Sequence, residues 1–326
     1  MMAQMAQKID ISHRTVIFTL VVILALWIIY LIRDLLIILF VAIILMSALA
    51  PLVNLFAKLK IPKALGIAIT YIIIIAIIAG ILATVLPPLI EQSSKLIVTL
   101  PSLLGQIFKV TNIDKSVFQS ELTSLSRNVV SITFAIFDNF LTIIFLLVIT
   151  FYLLLERNNL ENRISSLFLG NEVRTRKLIV HIQEKLGAWL RGQLILSVII
   201  GVLSYTGLII LNVPYALPLA LIAAIMEVVP VIGPIISAIP AILVSLTISP
   251  ILAMGVTAMY FVIQQTENHF IVPQIMKKAV GLNPLVVILT IAVGTRILGL
   301  SGALLAVPMA VVLQIVVTDL IEKQKA

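Results

Sequence analysis

Residues 224–236 read AIMEVVPVIGPII, which sets one carboxylate, two prolines and a glycine among otherwise apolar residues. The surroundings decide what that means. Of 326 residues, 61% are hydrophobic and 11% charged, and mean hydropathy is +1.23. Apolar runs of about 18 to 20 residues recur, the length that crosses a bilayer as a helix. One water-soluble core cannot hide that much apolar surface. The chain therefore reads as an all-α polytopic membrane protein, since long unbroken apolar runs do not fit a β-barrel. In lipid, each backbone N–H and C=O must be satisfied within its own helix or by protein neighbours. Helix breakers inside an apolar block thus mark a cavity wall or a buried turn.

Spans are expected near 15–32, 35–56, 63–86, 128–155, 190–211 and 250–266, with two further apolar blocks at 216–248 and 284–321. The first run is read as half of a helical hairpin rather than a cleaved leader, because Arg33-Asp34 and a second apolar run follow at once. Residues 87–127 change character after Pro87-Pro88. Leu89, Leu96, Leu100, Leu103, Leu104 and Ile107 recur there at roughly helical spacing, as expected for amphipathic helices against the membrane or a partner subunit. Residues 156–189 form a second amphipathic stretch. Basic residues set the orientation: Arg157, Arg163, Arg174, Arg176, Lys177, Lys185 and Arg191 gather in 156–191, whereas 87–127 hold Lys95, Lys109, Lys115 and Arg127. The positive-inside rule puts 156–189 and both termini in the cytoplasm, and 87–127 outside. The organisation is then an N-terminal membrane region (1–155), a cytoplasmic segment (156–189) and a C-terminal unit (190–321).

That threading sends 190–211 outward and 250–266 inward, so block 216–248 must enter from outside and return there. Its arms, 216–229 and 235–248, each reach only ~21 Å as helix, short of the ~30 Å hydrocarbon core. A re-entrant hairpin fits better than two crossings, its tip at Glu227, Pro230, Gly233 and Pro234. The second block repeats the pattern. Pro218-Leu219-Ala220-Leu221-Ile222 aligns with Pro284-Leu285-Val286-Val287-Ile288, Gly233 falls near Gly302, and the break becomes GTRILGLSG with Gly299 and Gly302 at its end. A helix followed by a hairpin occurs twice in opposite orientation, the inverted repeat of secondary transporters with discontinuous helices. About eight transmembrane segments with one or two re-entrant hairpins are expected; Ala303–Ile321 is also long enough to cross fully.

Glu227 is the one acid between residues 185 and 266. An ionisable group within a span costs roughly 2.5 to 3.5 kcal/mol on insertion scales, so it should be partnered or hydrated. It is the first candidate for a proton or cation site, the plainer alternative being a helix cap at a shallow tip. Pro230, Gly233 and Pro234 open backbone groups that a cation or an electronegative solute can use. Gln264, Gln265, Glu267, Asn268 and His269 form a polar cluster at the end of span 250–266. Gln264 with Asn268, and Gln265 with His269, share helical faces, an array suited to a polyhydroxylated solute or simply to a polar interface. Arg296, near the second tip, invites pairing with Glu227 or with an anionic ligand, unless it snorkels to the interface.

Other chemistries are poorly supported. The formal charge of +8 is spread over short loops rather than one aromatic-interleaved face, so no nucleic-acid partner is expected. With no cysteine and three scattered histidines, neither a metal site nor a cysteine nucleophile is expected. A Walker-type loop is absent, Asp138 stands alone among the spans, and no catalytic residue or cofactor is assigned.

Three stretches go further than composition: EVVPVIGPIISAIPAILVSL from Glu227, QQTENHFIVPQIMKKAVGLNPLVVIL from Gln264, and GLSGALLAVPMAVVLQI from Gly299. Together with FYLLLERNN at 151–159, they resemble the autoinducer-2 exporter family of prokaryotic PerM-like permeases. The resemblance covers nearly the whole chain and is densest over 185–321. It implies a multi-spanning, homo-oligomeric permease of the cytoplasmic membrane, exporting a small polar solute of the autoinducer-2 kind on an ion gradient. Other members look like sodium(lithium)/proton antiporters. A passive pore or membrane scaffold is the remaining alternative.

Overall fold

A computed structural model describes residues 13–81, 140–230, 232–276 and 281–325, together with positions 83, 85, 87 and 91. Among these the regular structure is helical: α1 (His13–Leu31), α2 (Arg33–Lys58), α3 (Lys63–Ile81), α4 (Phe140–Ser166), α5 (Glu172–Ile210), α6 (Ala216–Met226), α7 (Ile232–Leu246), α8 (Pro250–Thr266), a π-helical turn (Glu267–Ile271), α9 (Val272–Met276) and α10 (Pro284–Lys325). The amphipathic segment expected at 87–127 lies outside the described residues, apart from positions 87 and 91. Helices α2, α3, α4 and α5 are long and apolar enough to cross a membrane, as is α10 taken along its whole length, which a break at Gly299 divides. The chain is an all-helical polytopic membrane protein.

Apolar side chains face outward, as lipid permits: those described on α1 are all exposed, and Ile251 of α8 is 82% exposed. Burial instead tracks small residues. Helix α2 buries Ala42, Ser47, Ala48 and Ala50, and small residues let helix backbones approach closely in lipid. Helix α5 crosses α2 there, so tightly that a Cβ on Gly187 would lie 2.3 Å from the Ser47 carbonyl oxygen. Pro51 stands inside α2 and has no N–H to offer the carbonyl four residues back, which is that of Ser47. Arg191 takes over, its Nη1 donating to Ser47 O at 3.3 Å and to Ala48 O at 3.0 Å. Arg191→Met is therefore expected to cost about 1–3 kcal/mol, the penalty of orphaning a buried acceptor. Melting in detergent checks it, with Pro51→Ala in the same background restoring part of the loss by returning the missing N–H. No recovery in the double variant would mean that Arg191 serves another purpose.

On the other side of α2, Met46, Ala50 and Val53 pack with Ile67 of α3 and Leu154 of α4. Lys63 Nζ donates to Leu155 O at 2.7 Å and Tyr71 Oη to Leu147 O at 3.0 Å, which ties α3 to α4. The sequence sets an amphipathic segment at 156–189 beside a span at 190–211; in the structure 156–166 continue α4, and 172–210 form one helix of 39 residues. No proline interrupts it, and one buried stripe runs through Leu186, Trp189, Gln193, Leu196, Ile200, Ser204 and Leu208. Its first turns are held to the end of α10 by Arg174, whose Nε lies 2.9 Å from Asp319 Oδ1.

The two breaker-containing blocks are both folded back on themselves. Helices α6 and α7 have 11 and 15 residues, about 17 and 23 Å at 1.5 Å per residue. Between them Val229 N donates to Met226 O at 3.0 Å and Gly233 N to Val229 O at 2.9 Å. A Cβ on Gly233 would stand 1.8 Å from Met226 O, so a glycine is needed for the closure. Helix α10 turns sharply at Gly299, with φ 61° and ψ −139°, a conformation essentially confined to glycine. Gly294 and Gly302 would be about 12 Å apart along a straight helix. Here a Cβ on Gly302 would lie 1.9 Å from Gly294 O, so the halves meet. Val229, at the first break, packs in one cluster with Ile291, Ala303 and Ala306 around the second.

Helix α8 starts at Ser249, whose Oγ accepts from Leu252 N at 3.0 Å, with Pro250 in the first turn where a missing N–H costs nothing. It runs antiparallel to α5. Gly255 sits against Leu211, Gly207 against Met259 and Gly192 against Met276, so numbers rise along one helix as they fall along the other.

Candidate functional site

Glu227 immediately succeeds the last turn of α6 and is 1% exposed. Its main-chain carbonyl, freed where the helix stops, accepts from Gln193 Nε2 at 2.6 Å. That amide, 2% exposed on α5, caps a broken helix end with a side chain from another helix, which satisfies the backbone without water. The Glu227 carboxyl points to the same interior.

Glu267 joins it from the end of α8, at 4% exposure. The two carboxyls lie within hydrogen-bonding reach of one another. Ionised carboxylates only accept, so two of them facing each other need a proton between them or a cation. Glu227 Oε2 and Gln193 Oε1 are buried and receive no hydrogen bond among the described residues. Two facing carboxyls in a buried setting are a donor set suited to a shared proton or a hard monovalent cation.

The other candidates spread out from this pair. Gln264 Nε2 lies 3.4 Å from Glu267 Oε2 and 3.4 Å from Asn268 Oδ1, at the edge of the site. Gln265 and Asn268 are exposed, and the Gln265 carbonyl oxygen is engaged by His269 Nδ1 at 2.9 Å. Arg296 is exposed one turn before the second break and makes no ion pair with Glu227 among the described residues. Gly233 and Pro234 are buried at the first turn and Pro230 is half-buried; Gly302 is buried, while Gly299 is exposed at the second turn. The π-helical turn begins at Glu267. A π turn inserts one residue into the helix, which rotates the downstream segment and brings Met276 of α9 against Gly192.

Gln193 carries little signal in the sequence, because it falls in the first residues of span 190–211, two positions after Arg191, where polar residues read as an interface. The inward aim of Glu267 was legible: Ala253, Val256, Tyr260 and Ile263 are buried at spacings of three and four, and Glu267 is the next step of that stripe. A cavity of about 660 Å³ lies elsewhere, between the first turns of α5 and the end of α10, lined by Lys177, His181, Lys185 and Gln314 among others.

Residues 17–322 match the family described as AI-2E family transporters. The chain is 27% identical over 290 residues to YueF of Bacillus subtilis (strain 168), covering 81% of this chain and 78% of that protein. It is 26% identical over 245 residues to PerM of Escherichia coli (strain K12), covering 71% and 68%. Over 293 residues it is 26% identical to the AI-2 transport protein TqsA of the same strain, covering 85% and 82%.

Proposed function

The chain belongs to the AI-2E family of transporters, and from that premise we propose that it is a secondary active permease that exports a small polar solute, with Glu227 and Glu267 as the site where an ion is coupled to it. The observation that carries this reading is the buried carboxyl pair at a broken helix, which can share a proton or hold a cation as the coupling ion. An isolated charge in that position is costly unless it is partnered or its site is hydrated, and a transporter meets this condition by binding and releasing the partner. Helices α5 and α8 run antiparallel, each succeeded by a folded-back hairpin, which supports an inverted repeat around a midplane site. Alternating access then moves the unit 190–321 against 15–155, in the cytoplasmic membrane, with both termini cytoplasmic. Homo-oligomer contacts belong to the exposed apolar faces. An autoinducer-2-like solute is favoured by the likeness to TqsA, an AI-2 transport protein, and Gln264 and Asn268 offer it hydrogen bonds at the rim of the site.

A second reading is sodium(lithium)/proton exchange without an organic solute. It is favoured by the facing carboxyls of Glu227 and Glu267, an all-oxygen pair. Proteoliposomes with imposed proton or sodium gradients separate the readings. Accumulation of autoinducer-2 against its gradient is the expected result, ion-for-proton exchange alone supports the antiporter, and flux that only dissipates gradients identifies a pore.

A further inference from the structure

Five buried side-chain atoms among the described residues receive no hydrogen-bond partner: Gln193 Oε1, Ser197 Oγ, Ser204 Oγ, Glu227 Oε2 and Tyr260 Oη. In lipid-embedded protein such atoms are expensive, and scattered ones would be hard to explain. These are not scattered. Gln193, Ser197 and Ser204 succeed one another on α5 at steps of four and seven, which keeps them on one side of the helix over about 17 Å. Tyr260 comes from the antiparallel α8, and its hydroxyl lies beside Ser204, yet neither atom closes a hydrogen bond of normal geometry. A water can bridge such a pair at little cost. At the other end of the line stands the carboxyl pair of Glu227 and Glu267.

Other hydroxyls in the same region behave differently. Ser237 Oγ donates to Pro234 O at 3.0 Å and Ser245 Oγ to Ala241 O at 2.8 Å, each satisfied by its own helix. A helical serine has that route open to it, so Ser197 and Ser204 on α5 have their hydroxyls turned toward the interior instead. On the same side of α5, Ile200 and Leu208 pack with Leu219, Val244, Val256 and the Tyr260 ring, so the places open to water are those beside the polar side chains.

We propose that the line Gln193, Ser197, Ser204 and Tyr260 is a water-filled route joining the Glu227–Glu267 pair to the outer face, and that it forms the outer half of the ion pathway. Each water along the line takes two to four polar partners, which the side-chain oxygens and freed carbonyls at the helix break supply. The pathway role rests on the proposed function; the hydration of the line does not, and the test separates them.

The chain has no cysteine, so Ser197→Cys and Ser204→Cys each give one reporter with little change in shape. Labelling in sealed, oriented vesicles by a small charged methanethiosulfonate applied from outside should modify both. The rate should exceed by at least about tenfold that of Leu154→Cys, a site 2% exposed in the separate α2–α3–α4 core. Labelling no faster than that dry control, or from the cytoplasmic side alone, overturns the route. Tyr260→Phe, which keeps the ring and removes the hydroxyl, should slow gradient-driven flux roughly three- to tenfold, the size of one lost hydrogen bond, with KM unchanged. Cysteine labelling with unaltered flux in Tyr260→Phe would overturn the pathway while leaving the line hydrated. Labelling in a protein that only dissipates gradients would sink the carrier reading instead.

Discussion

Glu227→Gln is expected to leave a folded protein that no longer couples transport to an ion gradient. The amide is nearly isosteric with the carboxyl and its nitrogen can donate to the Glu267 carboxylate, while Gln193 still caps the broken end of α6. What it cannot do is exchange a proton or hold a cation by charge. Gradient-driven accumulation should fall by about 5- to 150-fold, the range set by coupling free energies of ~1–3 kcal/mol. Its dependence on pH should flatten, because one of the two facing carboxyls that can carry the proton is gone. Flux measured in proteoliposomes across pH, with melting temperature as the control for folding, gives the answer. A pH profile that matches the parent would remove Glu227 from the coupling step, whatever the absolute rate.

The second large effect is expected at the turns themselves. A Cβ on Gly233 would meet Met226 O at 1.8 Å and Met226 C at 2.5 Å. Both are backbone atoms, so the clash cannot be relieved by a rotamer change. Gly233→Ala should therefore cost at least about 3 kcal/mol, at or beyond the upper end of ordinary overpacking, and Gly233→Leu should prevent assembly of the α6–α7 hairpin. Gly302→Ala meets Gly294 O at 1.9 Å and should behave alike. Gly255→Ala is the counterpart in α8: its nearest neighbour, Leu211 Cδ2, is 3.9 Å away, and no loss is expected. Size-exclusion profiles and melting of the three alanine variants in detergent decide the matter. A Gly233→Ala protein that melts with the parent would mean that the turn is looser than its geometry here.

Much of the architecture could be read from residue order, and the reason is the solvent. A helix in lipid must satisfy its backbone locally, so apolar length and proline or glycine position report directly on where helices run and stop. Pro230, Gly233 and Pro234 announced the first turn in this way, and a lone acid in an apolar block drew attention to Glu227. The break at Gly299 also carried a local signal, since its positive φ is one that glycine alone adopts without strain.

What residue order did not fix are the meetings between helices. Glu227 and Glu267 are forty positions apart, and their contact depends on α5 and α8 lying antiparallel against one another. Gln193 caps α6, and Arg191 relieves the carbonyl that Pro51 leaves free in α2; both look from sequence like residues at a basic interface. Arg296 shows the converse, a charge near a hairpin tip that the fold leaves facing outward. Local hydrogen bonding writes the helices into the sequence, whereas the crossings are set by shape, by which glycine meets which backbone oxygen. Those contacts arise only once the whole bundle has closed, and with them the chemistry of the buried pair.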